Sequence, residues 1–561
     1  MPVLTFHARP ANRLGDNFRS EEFGFLRGLM RGIRRACFCL HWILLGAFAA
    51  ASAQEQIVDT TSTANQGQSL GDLARRARKD HTDEVQMSDE DAKKLFSSVD
   101  EILTFAAGDT GFPQKSNVKR RLVGSADVEK YTREQQAKEG FAQRFTRSEL
   151  TMKKFGLLPK DFDLREFLVK ANGKQIAAYY DFDTKTISML NWIPLDKQKP
   201  ILAHELTHAL QDQNYNLKIW MKLDDHTPEN GPSSDQDDDG ISTVRRAVVE
   251  GQAQVVLLDY MLAPFARSVQ NTPGLIYQME EPAVQAVVDS ELLHNAPMIV
   301  RELGTFPYKS GLIFEGELLQ KGGKEMAFAG AFAHPPRTTH EVLQPKAYLE
   351  HESLPKLALP DFQSIVGDKY KVYDSGSVGE LDLRALFKQY GERRSADELA
   401  AAWQGGRYVA FRKAGEGSAT APPAVTDLAL VYVSRWKSSQ AAGRFAKIYA
   451  DAVAQRYQNA VPDTAAACTG TQCPVALGQF STETGPVIIE QWADNMVLVS
   501  ESFDSTVAAR LLNAARNEAG ETHADNFQTD ELGLRLATAP GFTAFQENVG
   551  EEIRDSIGID R

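Results

Sequence analysis

The stretch LAHELTHAL, residues 202–210, decides how this chain is interpreted. On an α-helix, residues four apart lie one above the other on the same face. His204 and His208 can therefore reach one ion together. The apolar residues of the stretch pack on other faces of the helix and hold it in a core. The stretch predicts a helix that binds zinc, and the alternative is an amphipathic helix with two incidental histidines.

Glu205 follows the first histidine directly. In an HExxH site this glutamate lies beside the metal-bound water, near enough to accept its proton. Zinc lowers the pKa of that water to about 7, which makes hydroxide available at neutral pH. Five residues thus provide two metal ligands, His204 and His208, and a general base, Glu205.

A third protein ligand is needed if the fourth position is to be left for water. We assign Glu250, which lies in the apolar helix predicted over residues 244–258. A carboxylate in such a helix needs a partner, because burying it unpaired is costly. Gly251 and Ala253 are small enough for this helix to press closely on the HExxH helix, and the Glu250 carboxylate should then lie within about 5 Å of both imidazoles. The alternative partners are Arg245 and Arg246.

The pattern HELTHALQDQ, residues 204–213, and the Glu-Gly-x-Ala of residues 250–253 resemble gluzincin-type metallopeptidases. They are particularly similar to a group of exported bacterial and archaeal proteins. The resemblance implies a zincin-like catalytic domain over residues 91–360, one zinc ion per chain and a peptide or protein substrate. One departure is that forty-one residues separate His208 from Glu250, whereas many gluzincins use roughly twenty. The acidic loop 222–240 accounts for the excess, since surface insertions are tolerated.

Two further features would act on a peptide substrate: a strand that binds it and a side chain that stabilises the oxyanion. Residues 175–190 predict a β-hairpin, and its first arm is suited to be the edge strand with which extended peptides pair. The alternative is a hairpin with a purely structural role. Hydrolysis also needs a donor for the developing oxyanion, and the candidates are Tyr308, Arg337 and His340. Spacing alone does not select among these three residues.

The sequence also contains a candidate calcium-binding loop. Residues 235–240, DQDDDG, are similar to the start of a calcium-binding loop. The twelfth position of that loop is Arg246, where such a site needs a bidentate glutamate. The alternative is a solvated loop that caps the next helix.

The N-terminal residues 1–53 have the pattern of an export signal. Three arginines between residues 31 and 35 precede a short apolar run that ends at Ala51-Ser52-Ala53, a small-x-small cleavage pattern. Met30 is an alternative start. The pattern predicts a secreted or periplasmic protein of bacterial-type export, without an integral membrane segment after cleavage; the alternative is a buried N-terminal helix. The polar residues 54–90 predict a disordered leader.

Residues 361–561 predict a smaller C-terminal domain, so that the whole chain is of the α+β class. Its pattern repeats as two strand–strand–helix units that would pack as an antiparallel sheet under helices. The predicted strands are 408–411, 428–434, 487–492 and 496–500, and the helices are 438–457 and one that starts at Ser505. Cys468 and Cys473 predict a disulfide in an exported protein, and two free thiols are the alternative.

The net charge and the motifs together exclude some functions and favour others. The net charge of −13 argues against a nucleic-acid partner, which a basic face or stripe would recognise. The favoured function is a zinc-dependent endopeptidase. The alternatives are a non-catalytic zinc-containing binding or assembly protein of the cell envelope and a zinc hydrolase of non-protein amides. The sequence leaves the oligomeric state open.

Overall fold

The structure is a computed structural model. It describes residues 87–124, 142–171, 178–191, 195–221, 239–277, 293, 295–352, 354, 356–391, 393–414, 423–463, 473–522, 531–537, 542 and 545–550. All of them belong to one compact unit, Glu84–Arg561. The predicted signal, the leader as far as residue 86 and the predicted calcium-loop segment up to residue 238 lie outside the described residues.

The chain is a mixture of helices and strands, as the sequence predicts. The helices are α1 (Asp89–Thr110), α2 (Ala142–Phe155), α3 (Leu164–Ala171), α4 (Leu195–Tyr215), α5 (Leu217–Trp220), α6 (Asp239–Leu262), α7 (Met298–Glu325), α8 (Ala331–Ala333), α9 (Thr339–Leu343), α10 (Pro345–Leu349), α11 (Phe362–Val366), α12 (Glu380–Tyr390), α13 (Ala396–Ala400), α14 (Ser439–Arg456), α15 (Ser505–Glu518) and α16 (Leu532–Ala537). A π-turn, Met326–Gly330, continues α7.

The strands form three sheets. They are β1 (Lys119–Val123), β2 (Ala178–Asp181), β3 (Thr186–Leu190), β4 (Lys356–Ala358), β5 (Tyr370–Ser377), β6 (Trp403–Lys413), β7 (Leu428–Trp436), β8 (Val461–Pro462), β9 (Ala476–Ser481), β10 (Val487–Gln491), β11 (Met496–Glu501) and β12 (Gly520–Thr522). The orders are β1-β3-β2, β5-β6-β7-β11-β10-β9-β8 and β12-β4.

The three-stranded sheet contains the predicted hairpin. Strand β3 pairs antiparallel with β2 and parallel with β1. The hairpin is confirmed over its described residues, and β2 lies at an edge of the sheet. Helix α4 packs against β2 and β3. The edge strand therefore runs beside the helix that carries the HExxH motif.

Helix α6 packs against both α4 and α7. Its contact with α7 is close because two glycines face each other: a Cβ on Gly251 would lie 2.5 Å from the carbonyl carbon of Gly311. The expectation that Gly251 allows α6 to press on α4 is therefore wrong. A small residue in an apolar helix indicates a close neighbour, but the sequence does not say which neighbour.

The seven-stranded sheet is antiparallel throughout, and both predicted strand–strand–helix units are confirmed in it. Alternate residues of β7 and β11 face opposite sides. Leu430 and Tyr432 share a core with α14, whereas Val431 and Val433 share another core with α15. The two helices thus cover opposite faces, which explains why β7 reads as a continuous apolar run rather than an alternating one.

The last described segments return to the helices around α6. Phe545 contacts Phe167 with ring centroids 5.5 Å apart, and the Gln546 amide donates to the Leu303 carbonyl at 2.8 Å. Glu547 pairs with Arg246 of α6 at 3.3 Å. Residues from both sides of the predicted boundary near residue 360 therefore share one hydrophobic core.

Among the described residues, the structure contains no helix with the length and hydrophobicity of a membrane span.

Candidate metal centre

Helix α4 places the two motif histidines on one face. It begins at Leu195, more than a turn before Pro200, and the HExxH residues lie in its buried middle. The Nε2 atoms of His204 and His208 are 3.1 Å apart, and the ring planes are perpendicular. Both side chains are buried, with 1% and 6% exposure. The i, i+4 spacing thus brings two imidazole nitrogens to one point, as the sequence predicts.

Glu250 reaches the same point from α6. Its Oε2 lies 3.2 Å from His204 Nε2 and 3.5 Å from His208 Nε2, well inside the predicted 5 Å. Ligand atoms bound tetrahedrally to zinc at 2.0–2.1 Å are about 3.3 Å from one another. The three measured separations bracket that value. The chemistry of the donor set, two imidazoles and one carboxylate, also suits a zinc site that keeps a fourth position open.

The arginines beside Glu250 have other partners. Arg246 pairs with Glu547, and the Arg245 guanidinium lies 5.0 Å from the Trp220 ring centroid. The alternative, an ion pair of Glu250 with Arg245 or Arg246, is therefore not among the described contacts, in which Glu250 pairs with the two histidines. Another carboxylate of α6, Asp259, lies near residue 109 rather than near the histidines.

The charges of the three residues depend on one another. Burial acts to raise the pKa of Glu250, but His208 and His204 outweigh it and hold that pKa well below its ordinary value. Burial acts to lower the pKa of His208, but the Glu250 charge and its hydrogen bond raise it overall. A carboxylate that stays ionised in a buried place is an effective ligand for a cation.

Glu205 lies between the centre and the edge strand. Its Oε2 accepts a hydrogen bond from the Tyr180 main-chain N–H at 3.0 Å, and it is 5% exposed. That N–H belongs to β2, the edge strand of the three-stranded sheet. The carboxylate is thereby held next to both the ligand helix and the strand edge.

A buried aspartate fixes the edge strand to α4. Asp212, one turn beyond His208, accepts hydrogen bonds from the Tyr180 hydroxyl at 2.9 Å and the Leu217 main chain at 3.1 Å. Lys185 pairs with it at 2.6 Å. Asp212 stands in the pattern HELTHALQDQ and lies four residues after His208 on the same helix face, but its contacts with the edge strand were not predicted.

Two glutamines connect the centre with its surroundings. Gln211 Oε1 lies 2.9 Å from His208 Nδ1, and its Nε2 donates to Gln252 Oε1 at 3.0 Å. Gln252 donates in turn to carbonyls of the π-turn. Neither role was predicted from the sequence, although the pattern HELTHALQDQ contains Gln211. The available signal was spacing, since Gln211 is three residues after His208 and Gln252 two after Glu250.

The three oxyanion candidates have described contacts elsewhere. Tyr308 is buried against Gly550, where an added Cβ would lie 2.6 Å from a ring carbon. Arg337 pairs with Glu341 at 3.1 Å. His340 pairs through Nδ1 with Glu380 and lies 3.8 Å from Glu352. None of these described contacts is with the metal centre, so the oxyanion role of all three stays a prediction.

Comparison with known proteins bears on the C-terminal half. A domain of unknown function, DUF8575, matches residues 369–510, which contain all seven strands of the large sheet. No curated protein and no solved structure is significantly similar to the chain. The residues of the metal centre lie outside the matched range.

Proposed function

We propose that this protein is a zinc-dependent endopeptidase of the gluzincin type, with His204, His208 and Glu250 as ligands and Glu205 as general base. The observation that carries the proposal is the separation of the three ligand atoms, 3.1, 3.2 and 3.5 Å, in a buried place beside an HExxH glutamate. Two imidazoles and a carboxylate are the ligand set of a catalytic zinc site, whereas structural zinc usually has four protein ligands. A base next to the ligands also favours catalysis.

The chemistry that zinc supplies at such a site is Lewis acidity, which lowers the pKa of water towards 7. Glu205 would take the proton of that water and pass it to the leaving amine. The Tyr180 N–H holds the Glu205 carboxylate in place before reaction. Strand β2 would align an extended peptide along its open edge, as an added strand. Residues 91–360 would then be the zincin-like domain.

The proposal extends to location and partners. The pattern of residues 1–53 supports export to the periplasm or the medium, where the substrate would be a peptide or an unfolded protein. The C-terminal sheet would support the catalytic part or contact the substrate.

The test combines metal analysis with hydrolysis of casein, with and without a chelator. The purified protein should carry about one zinc ion per chain and lose activity on chelation. Glu205→Gln should keep the zinc and abolish hydrolysis, because an amide cannot accept the proton of water. Glu398→Gln, the same change on the exposed face of α13, is the matched control and should leave both unchanged.

Three outcomes would separate the alternatives. Cleavage of casein by Glu205→Gln at the wild-type rate would refute the proposed mechanism. Tightly bound zinc with no hydrolysis of any amide would favour a binding or assembly protein. Hydrolysis of non-protein amides without casein cleavage would favour the second type of hydrolase.

A further inference from the structure

A chain of hydrogen bonds with a fixed direction starts at the π-turn after α7. The Gln252 Nε2 donates to the Ala327 carbonyl at 2.8 Å and to the Phe328 carbonyl at 3.1 Å. Main-chain carbonyls can only accept hydrogen bonds, so the nitrogen of this amide has to face them. The oxygen of Gln252 consequently faces the other way, towards Gln211.

The second amide is oriented by the first. Gln252 Oε1 accepts from Gln211 Nε2 at 3.0 Å, and the same nitrogen donates to the Val249 carbonyl at 3.1 Å. Both neighbours of this nitrogen are acceptors, so a flipped Gln211 would set oxygen against oxygen twice. Its Oε1 must therefore face His208 Nδ1, at 2.9 Å.

The proton of the imidazole follows from this order. An amide oxygen only accepts, so His208 Nδ1 has to carry the hydrogen, and in the neutral ring Nε2 then keeps its lone pair. That Nε2 is the atom that lies 3.1 Å from His204 Nε2 and 3.5 Å from Glu250 Oε2. We infer that the π-turn carbonyls, acting through Gln252 and Gln211, hold His208 in the tautomer that binds metal.

Gln211 and Gln252 are positioning residues in this scheme, and their role in metal binding rests on the proposed function. The π-turn suits its part in two ways. Turns of this kind are rare and recur at functional sites. It also begins three residues after a kink at Gly323, whose φ of 67° is non-helical. The metal ligand on α4 is thus linked to α7 by way of α6.

The first experiment measures zinc affinity by competition with a chelator. The variants are Gln211→Met, Gln252→Met and the double variant, since methionine preserves length and removes the amide. The control is Gln254→Met, because Gln254 is equally buried on α6 and its amide has no hydrogen-bond partner among the described residues. Loss of an outer hydrogen bond to a ligating histidine typically weakens metal binding 10–100-fold.

We expect Gln211→Met to weaken zinc binding by about 10–100-fold and Gln252→Met by several-fold. Because Gln252 acts through Gln211, the double variant should be no weaker than Gln211→Met alone. The control should bind zinc like the wild type. Wild-type affinity in Gln211→Met would overturn the inference, and so would losses that multiply in the double variant.

A second measurement needs no metal. In the metal-free protein labelled with ¹⁵N-histidine, the Nδ1–H of His208 should give a slowly exchanging signal that disappears in Gln211→Met. A His208 protonated only at Nε2 would overturn the inference even if zinc binds. If the wild type shows the Nδ1–H signal and binds no zinc, the proposed function fails and the tautomer assignment stands. Gln252→Met provides the test should Gln211→Met not fold.

Discussion

The contact between α6 and α7 gives a prediction whose size can be worked out. In Gly251→Ala, the new methyl group would lie 2.5 Å from the Gly311 carbonyl carbon, whereas ordinary contact starts at 3.4 Å. The two helices must therefore separate by about 0.9 Å, because main-chain atoms cannot rotate away. Overpacking of this kind costs about 1–3 kcal/mol, and alanine returns about 1 kcal/mol through its helix propensity. We expect a net loss of up to about 2 kcal/mol in the free energy of unfolding.

The matched control is Gly108→Ala in α1, an exposed helical glycine with nothing within 4 Å of the added Cβ. This variant should gain about 0.5–1 kcal/mol. Denaturant unfolding of both variants measures the difference, and chelator competition measures zinc affinity. Zinc sites tolerate ligand displacements of only about 0.2 Å, so a shift of α6, which carries Glu250, should also weaken binding. Equal stability of the two variants would refute the reasoning, because it would mean that α6 and α7 do not touch at Gly251.

Three other predictions concern single groups. Burial raises the pKa of Asp382 from 3.8 to about 7. The stability that this carboxyl group contributes is therefore fully present below pH 4 and is lost as the pH rises through 7. The loss is on the order of 4 kcal/mol, and Asp382→Asn should flatten the unfolding profile between pH 4 and 8; an unchanged profile would contradict this. Glu250→Ala should weaken zinc binding as much as loss of a histidine, with folding partly rescued by excess zinc; unchanged zinc content would identify a different ligand. Cys468 and Cys473 should resist alkylation until reduced, as mass spectrometry can show, and two thiols that react without reduction would rule out the bridge.

The clustering of His204, His208 and Glu250 was predictable because its signals are local or chemically costly. The i, i+4 spacing of His204 and His208 needs only helix periodicity. Glu250 stands out because a carboxylate in an apolar helix demands a partner. Cys468, by contrast, lies outside the described residues, and its bridge to Cys473 stays a prediction.

The polar surroundings of the centre could not be predicted in the same way. Gln211 and Gln252 are neutral. A neutral residue in an apolar helix does not indicate a buried partner as clearly as a charged residue such as Glu250 does. Their roles depend on carbonyls of residues 327 and 328, about 75 residues further along the chain. The neighbour of Gly251 was misassigned for a similar reason, since close approach is visible in sequence and its partner is not.

The C-terminal sheet shows the same division. Strand patterns and turns predicted both strand–strand–helix units, because each unit is built from contacts between neighbours in sequence. The positions of α14 and α15 on opposite faces of the sheet were not predicted. The continuous apolar run of β7 was the available signal, since a strand buried on both faces does not alternate.

The packing of residues 542 and 545–550 on the helices around the candidate metal centre has a consequence for biosynthesis. Phe545 and Val549 belong to the same hydrophobic core as Leu206 of the HExxH helix. During synthesis that core lacks Phe545 and Val549 until about 340 residues after the HExxH motif have been added to the chain. The helices that carry the proposed ligands therefore complete their packing only after Phe545 and Val549 have been synthesised. A chain cut short by a premature stop would expose apolar surface on α7, where Phe545 and Val549 pack against Gly304, and exposed surface of this kind promotes aggregation.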